Sequence, residues 1–455
     1  MKSFTAGVIL FILVFTPLTS AWPAAGYWNL QTVDWDGQTV GSHNSLALDD
    51  QDQPHISYYD STNGNLKYAV YDDSSWNIQT IDREGNVGEY TSLALDSFGH
   101  SHISYYDLDN RNLKYARRDG SGWTVQTVDW EGEVGRSSSL ALDSSGYPHI
   151  SYECEPYYLK YAFWDGSQWE IELLDWNVHS RGGIPSLALD NQDLPHIASA
   201  NEYGWYSYND DSTWKVALVA VCPGCHLLEA SLALDSSGIP HLTFGDSDGD
   251  LWYAVQDGSQ WDVQTSILSG NRGTSLALDA QDRPHVSHPD YHFNGGSKFY
   301  LGYAYEDDSG WHNLIVDSGV EEVWHTSLAL DSSGNPHISY YSADNGNLKY
   351  ARWVPAPLRP LVDSGDYDGD GTSDISVFQS SSGLWSVRDL TQWYFGSSDD
   401  LPVPGDYDGD ATTDLALFRP SSGLWVIREV SRVYFGSSSD HPVPIRFNPF
   451  SACSV

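Results

Sequence analysis

A chain of 455 residues with 62 acidic against 22 basic side chains carries a formal net charge of −40. It would repel phosphate backbones, which argues against nucleic acid as a partner and leaves cations, neutral glycans and basic surfaces open. Aromatic residues make up 14% of it, with 19 Trp and 29 Tyr, too many for a disordered chain and suited to pleated, half-buried strands.

Residues 1–21 read as a secretory signal: Lys2, an apolar run from Ala6 to Leu18, then the small residues Thr19, Ser20 and Ala21. The run is too short to span a bilayer and no second apolar stretch follows it. The mature chain is therefore expected to be secreted or at the cell surface, without a membrane span. Export implies an oxidising compartment, yet four Cys are too few for a disulfide framework.

Residues 22–353 are dominated by a repeat. Ser-Leu-Ala-Leu-Asp begins at Ser45, Ser92, Ser139, Ser186, Ser231, Ser275 and Ser327, at spacings of 47, 47, 47, 45, 44 and 52 residues. A period of this size with strand-type composition means stacked small sheets, because one unit cannot bury its own apolar faces. The first repeat holds four strand-like runs, Ser45 to Asp49, His55 to Tyr59, Leu66 to Val70 and Trp76 to Ile81, separated by turn chemistry such as Asn63-Gly64. Four antiparallel strands per repeat make the blade of a β-propeller. The seventh repeat stops after its third strand, while an orphan fourth strand, Trp28 to Asp34, precedes the first. The expected fold is all-β: a seven-bladed β-propeller closed by that N-terminal strand, which removes the open edge.

First strands should lie nearest the axis and the Trp-led fourth strands outermost. The loops from a fourth strand to the next blade then share a face with those between second and third strands. Both vary between repeats, so ligand binding is expected there. That face carries Trp35, Asp36, Trp130, Glu131, Trp176 and Trp324 in inter-blade loops, and Tyr59, Asp60, Tyr106 and Asp107 at the ends of second strands. Aromatic planes beside carboxylates suit sugars, by stacking on the ring face and accepting from hydroxyls. Packing between blades is the plainer use of the same Trp residues. The His that opens every second strand, His55, His102, His149, His196, His241, His285 and His337, recurs too regularly for one active site and should tie a turn.

Two irregular stretches interrupt the repeat. Cys222-Pro-Gly-Cys225-His226 satisfies the c-type haem attachment pattern, but it replaces one inter-blade loop in a chain with one Met and no evident helical pocket. A local disulfide or paired thiols fits better than haem. In His288-Pro-Asp-Tyr-His292, extended backbone would put His288, Asp290 and His292 on one side, as a metal site requires, although loops seldom hold so regular a shape.

After a Pro-rich linker, 354–362, a second repeat of period 40 occupies 363–442, followed by a tail, 443–455. Gly-Asp-Tyr-Asp-Gly-Asp recurs at 365 and 405, Ser-Ser-Gly-Leu-Trp at 381 and 421, and Tyr-Phe-Gly-Ser-Ser at 394 and 434. Carboxylates at alternate positions of a tight loop converge on one point, and hard oxygen ligands suit Ca²⁺. The first loop offers Asp366, Asp368, Asp370 and Asp374 with the Thr372 carbonyl; the second offers Asp406, Asp408, Asp410 and Asp414 with that of Thr412. Ala411 stands where the first loop has Gly371, and a Cβ there weakens the second site if the position needs positive φ. The pair resembles the FG-GAP or VCBS repeats of integrin α-chain propellers and bacterial surface proteins. The resemblance implies blade-like repeats with calcium in these loops.

The functional expectation is a secreted, non-enzymatic, lectin-like or adhesin-like protein, binding a glycan or an extracellular protein through the variable face, with Ca²⁺ in the C-terminal repeats. Several weak, equivalent sites would gain avidity on a repetitive ligand. The larger unit is similar to bacterial lectin propellers in architecture and aromatic faces, an analogy of fold. The alternatives are a polysaccharide-active hydrolase or lyase and a purely structural envelope protein. Propeller sialidases resemble this chain in their Asp-x-Ser-x-Trp-like turns, but they also use three Arg and a Tyr-Glu pair, and Arg is sparse here. A unique acidic pair facing the axis would favour an enzyme.

Overall fold

In the computed structural model, the residues described run from 26 to 434 except 36–38, 73, 157, 175–183, 212, 270–272, 294–296, 356–363, 366, 368–373, 380–381, 388–390, 395, 398–399, 405–412, 420, 423 and 428–430. Among them the regular elements are strands, with no helix. The chain divides into two compact units, Trp28–Val354 and a second made of Met1–Tyr27 with Pro355–Val455.

The larger unit is a series of small antiparallel sheets. The first comprises Val40–Leu48, Pro54–Asp60, Asn65–Tyr71 and Trp76–Asp82, paired in chain order. Four sheets are four-stranded in this way, a fifth is four-stranded with one strand from elsewhere in the chain, and a sixth has eight strands. The latter is two such groups joined through a single parallel pair, Ile184 with Glu229. The sheet of Val323–Leu330, Pro336–Ser342 and Asn347–Pro355 takes its outer strand from the other end of the chain, Gly26–Asp34.

The Ser and the Asp of the recurring phrase each have an assignable job. The Ser hydroxyl accepts from the backbone N–H of the Leu after the next Ser: Leu93 on Ser45, Leu140 on Ser92, Leu187 on Ser139, Leu232 on Ser186, Leu276 on Ser231 and Leu328 on Ser275, at 2.9–3.0 Å. Leu46 N–H donates to Ser327 at 3.0 Å. First strands thus touch side by side where no backbone ladder links them, and the hydroxyl satisfies an N–H that would otherwise go unpaired.

The Asp caps the following turn, with Asp49 Oδ1 accepting from Gln51 and Gln53 N–H at 2.9 and 2.8 Å. Its other oxygen faces the second-strand His, from 3.4 Å for Asp49 and His55 to 3.9 Å for Asp235 and His241. The His Nδ1 meets the hydroxyl of a third-strand Tyr, as in His102 with Tyr115 at 2.6 Å and His337 with Tyr350 at 2.5 Å. That Tyr packs edge-on against the Trp opening a fourth strand of the next sheet: Tyr68 on Trp123 at 5.1 Å, Tyr350 on Trp76 at 5.2 Å, Tyr303 on Trp28 at 5.4 Å between ring centroids. Hence the repeated histidines tie turn to strand, as their recurrence suggested.

A buried triad crosses four of the seams. Asp34, at the end of a fourth strand, accepts from Tyr58 at 2.7 Å and pairs with Lys67. Asp82 does the same with Tyr105 and Lys114, Asp129 with Tyr152 and Lys160, and Asp317 with Tyr340 and Lys349. Apolar side chains from neighbouring sheets fill the space between, for example Val33, Val40, Ile56, Leu348 and Tyr350. Close approach forces a glycine at three of the seams: a Cβ on Gly41, Gly88 or Gly135, all at positive φ, would lie 2.6–2.8 Å from the Cα of Leu348, Leu66 or Leu113.

The smaller unit holds two four-stranded sheets. One comprises Ser364–Gly365, Asp374–Gln379, Leu384–Val387 and Thr391–Tyr394; the other comprises Leu401–Pro402, Ala416–Arg419, Leu424–Ile427 and Ser431–Tyr434. Phe378 and Trp385 of the first pack with Leu415 and Leu417, so consecutive repeats share a core.

Candidate functional site

The residue two positions before each Ser-Leu-Ala-Leu-Asp varies strongly between repeats: His43, Tyr90, Ser137, Ile184, Glu229, Gly273 and His325. All seven line one cavity of about 420 Å³ where the first strands begin, together with Trp324 and five hydroxyl or amide neighbours, Asn44, Thr91, Ser138, Thr274 and Thr326. Their aim is set by the backbone. His43, Tyr90, Ser137 and His325 sit at φ +51 to +53°, and Gly273 at +85°. For a residue with a Cβ this costs about 1 kcal/mol and persists only when the surroundings impose it.

The next residue along supplies that constraint. Thr91 Oγ1 donates to the His43 carbonyl at 2.9 Å, Ser138 to that of Tyr90 at 3.0 Å, Thr326 to that of Gly273 at 2.6 Å, and Asn44 Nδ2 to that of His325 at 2.6 Å. Most of these side chains are held from behind as well, Thr91 by Ser57 and Ser138 by Ser104, at 2.7 and 2.8 Å. The cavity wall is therefore pre-organised.

Aromatic surface and neutral donors dominate its chemistry. The imidazoles of His43 and His325 lie 4.3 Å apart, and His43 lies 4.3 Å from Tyr90. Burial first, and then the neighbouring His325, hold the His43 pKa well below the imidazole range; burial pushes His325 down to about 4. Both rings are neutral at pH 7, and His325 Nδ1 is buried without a hydrogen-bond partner. Glu229 accepts from Gly273 N–H and is the carboxylate of the lining.

Beside Tyr90 and Ser137 lies a group found at no equivalent position in other repeats. Glu153 accepts from the Ser137 hydroxyl at 3.1 Å, and burial raises its pKa. Burial likewise raises that of Glu89, against the pull of Arg136, whose guanidinium lies 5.5 Å from the Tyr106 ring centroid.

The residues anticipated from sequence are placed variously. Trp35 and Trp130 are exposed, at 64% and 65% of their surface, and Trp324 lines the cavity. Glu131 is exposed, its N–H donating to Asp129. Tyr59, Asp60, Tyr106 and Asp107 are buried, and the two carboxylates cap turns through Asn63 and Asn110. Asp36 and Trp176 lie outside the described residues, as do Asp366, Asp368, Asp370, Thr372, Asp406, Asp408, Asp410 and Thr412. Asp374 is described, with Oδ2 accepting from Tyr367 N–H at 2.7 Å, and Asp414 forms a β-bridge.

Cys222 and Cys225 form a disulfide, with Asp246 Oδ2 3.6 Å from the Cys225 sulfur. Bonded sulfurs are not available to haem vinyl groups or to a metal in this state. His288 and Asp290 lie on a regular strand, Pro284–Phe293, rather than in a loop. Both are buried and bridged by the Asn313 amide, at 3.1 and 3.0 Å. The His292 side chain lies outside what is described. The cavity itself was not anticipated; reading the seven repeats in register would have exposed its variable position.

Similar solved structures include a protein of unknown function from Dyadobacter fermentans, 11% identical over 71% of this chain and 98% of that one, with a TM-score of 0.45. A mutant of the NanB sialidase from Streptococcus pneumoniae is 12% identical over 71% of this chain and 70% of its own, with a TM-score of 0.43. A mutant of the Aleuria aurantia lectin AAL in complex with Fucα1-6GlcNAc is 15% identical over 64% of this chain and 99% of its own, with a TM-score of 0.42. No family model matches the sequence, and no curated protein matches it.

Proposed function

We propose that Trp28–Val354 is one closed seven-bladed β-propeller, with Gly26–Asp34 as the outer strand of its last blade, and that it is the carbohydrate-binding part of a secreted protein. The observation that carries this is the cavity at the first strands, where seven otherwise equivalent positions present six different residue types, only His occurring twice. Aromatic faces at His43, Tyr90 and Trp324, hydroxyls at Ser137 and Thr274, and one carboxylate are what a ring of hydroxyls needs. Such a site is single, so it would bind one saccharide per propeller rather than several equivalent ones. In this reading the C-terminal pair are FG-GAP/VCBS-like repeats that hold Ca²⁺ and stabilise their own unit.

A glycan array run with calcium and again with chelator tests it, beside a Trp324→Ala variant. Saturable binding that survives chelation and is lost in the variant supports the reading. A blank array in calcium would sink it and favour a structural envelope role.

The carboxyls of Glu89 and Glu153, both pushed upward by burial, support a second reading, a hydrolase or lyase, because glycoside cleavage uses an acid of raised pKa beside the sugar. Glu153→Gln separates the two: it should leave binding intact in a lectin and abolish product release from a bound oligosaccharide in an enzyme.

A further inference from the structure

At the opposite ends of the strands, the seam between the second and third sheets is built differently from its counterparts. At four other seams the Trp that opens a fourth strand donates its indole N–H to a Gln or Glu three residues into the preceding fourth strand; at the remaining two that position holds Ala217 and Leu314. Trp76 donates to Gln31 at 2.8 Å, Trp123 to Gln79 at 3.1 Å, Trp214 to Glu172 at 2.9 Å and Trp311 to Gln264 at 3.0 Å. By the same register Trp169 should donate to Gln126. It does not: Trp169 Nε1 is buried without a hydrogen-bond partner.

Where that bond is missing, a cavity of about 260 Å³ opens, lined by Gln126, Trp169, Trp164, Tyr147, Thr124 and Arg117 among others. Arg117 stands opposite His102 in the strand register, where the sheets on either side put Val70 and Phe163. A donor stands there in place of an aliphatic or aromatic filler, as Arg352 also does opposite His337. Trp164 and Trp169 meet edge-on at 5.8 Å between centroids, and Tyr147 is 40% exposed at the rim. The site therefore offers flat apolar surface beside donors from Arg117 and Trp169, an amide from Gln126 and a hydroxyl from Thr124.

The geometry points to a second, peripheral site on this propeller for one uncharged saccharide unit. A buried indole N–H without an acceptor costs free energy that an incoming hydroxyl oxygen would recover. The ligand is neutral because the Arg117 guanidinium already has the Asp96 carboxylate 3.8 Å away, and the chain as a whole, at −40, disfavours anions. The ligand class rests on the carbohydrate reading above, while the site is independent of the other cavity.

Titration of the whole protein, labelled at the Trp indole nitrogens, with methyl glycosides of common neutral hexoses and deoxyhexoses tests this. The Trp169 indole resonance, assigned by its absence in Trp169→Phe, should move saturably with one glycoside. Arg117→Ala, changed at a partly exposed side chain, should raise the Kd for that shift about tenfold, the loss of one charge-assisted hydrogen bond. Movement of other indoles with Trp169 unmoved would overturn the peripheral site and leave the carbohydrate reading standing. If no resonance moves with any glycoside, both fall.

Discussion

The Ser of each repeated phrase acts across a seam, so its value should be measurable by deletion of one oxygen. Ser139→Ala leaves Leu187 N–H without its acceptor, and a cost of about 1–3 kcal/mol is expected for an unsatisfied buried N–H. Urea denaturation should show a lowered midpoint, and an unchanged one would mean water replaces the hydroxyl. Acid sensitivity follows from the histidines. His102 is pushed down to about 4 by burial and by Arg117, and His325 to about 4 by burial. Their folded pKa values lie below the unfolded value of about 6.5, so the unfolded chain binds more protons between those limits. Stability from these groups is complete above about 6.5 and is lost as pH falls toward 4. Below that, Asp317 adds to the loss: burial alone would raise its pKa, but hydrogen bonds from Lys349 and Tyr340 outweigh burial and hold it low. Urea midpoints at decreasing pH should fall across this window, and a flat profile would contradict the assignment. The role of the repeated His was legible in its recurrence. The inward aim of His43, Tyr90, Ser137 and His325 was not, because left-handed backbone at residues other than glycine is imposed by neighbours such as Thr91 and Ser138.

Strands and turns were the most legible level. Alternation, Asn-Gly and Asp-x-Ser-x-Trp marked the elements, and the structure pairs them in chain order. The stretch from His288 to His292 was harder: Pro289 breaks the pattern in sequence, yet Pro284–Phe293 pairs continuously with Ser297–Asp307. The orphan strand Gly26–Asp34 was legible only by counting, since its partner Asn347–Pro355 lies more than three hundred residues away. It supplies Asp34 to Tyr58 and Lys67 and Trp28 to Tyr303, so it serves three sheets at once. A chain that begins after Asp34 should lose more than one strand's worth of stability. Lys67 is left nearly buried and unpaired, at about 3 kcal/mol, and a sheet edge is bared to self-association. Size-exclusion chromatography should show aggregates, and a monomer with an unaltered melting temperature would refute this.

At the scale of the whole chain, two units with separate cores should melt separately. Calorimetry with and without a calcium chelator should shift one transition and leave the larger one in place; Asp368→Asn should mimic the chelator for that transition alone. Chelator insensitivity of both would remove calcium from the account. The covalent break of the larger unit also has a consequence. Because Gly26–Asp34 completes the sheet begun at Val323, the link from Asp34 to Val40 carries the chain across the seam beside Ser327, which six other links already do elsewhere. Every joint between sheets is thus crossed by a peptide chain, and the gap falls inside a sheet, as courses of brick are laid so that no two joints align. Because the two strands run antiparallel, with Trp28 beside Trp353, a force pulling the flanking segments apart would act at one end of the pair and open its backbone hydrogen bonds one after another, where a gap between sheets would have loaded a few side chains.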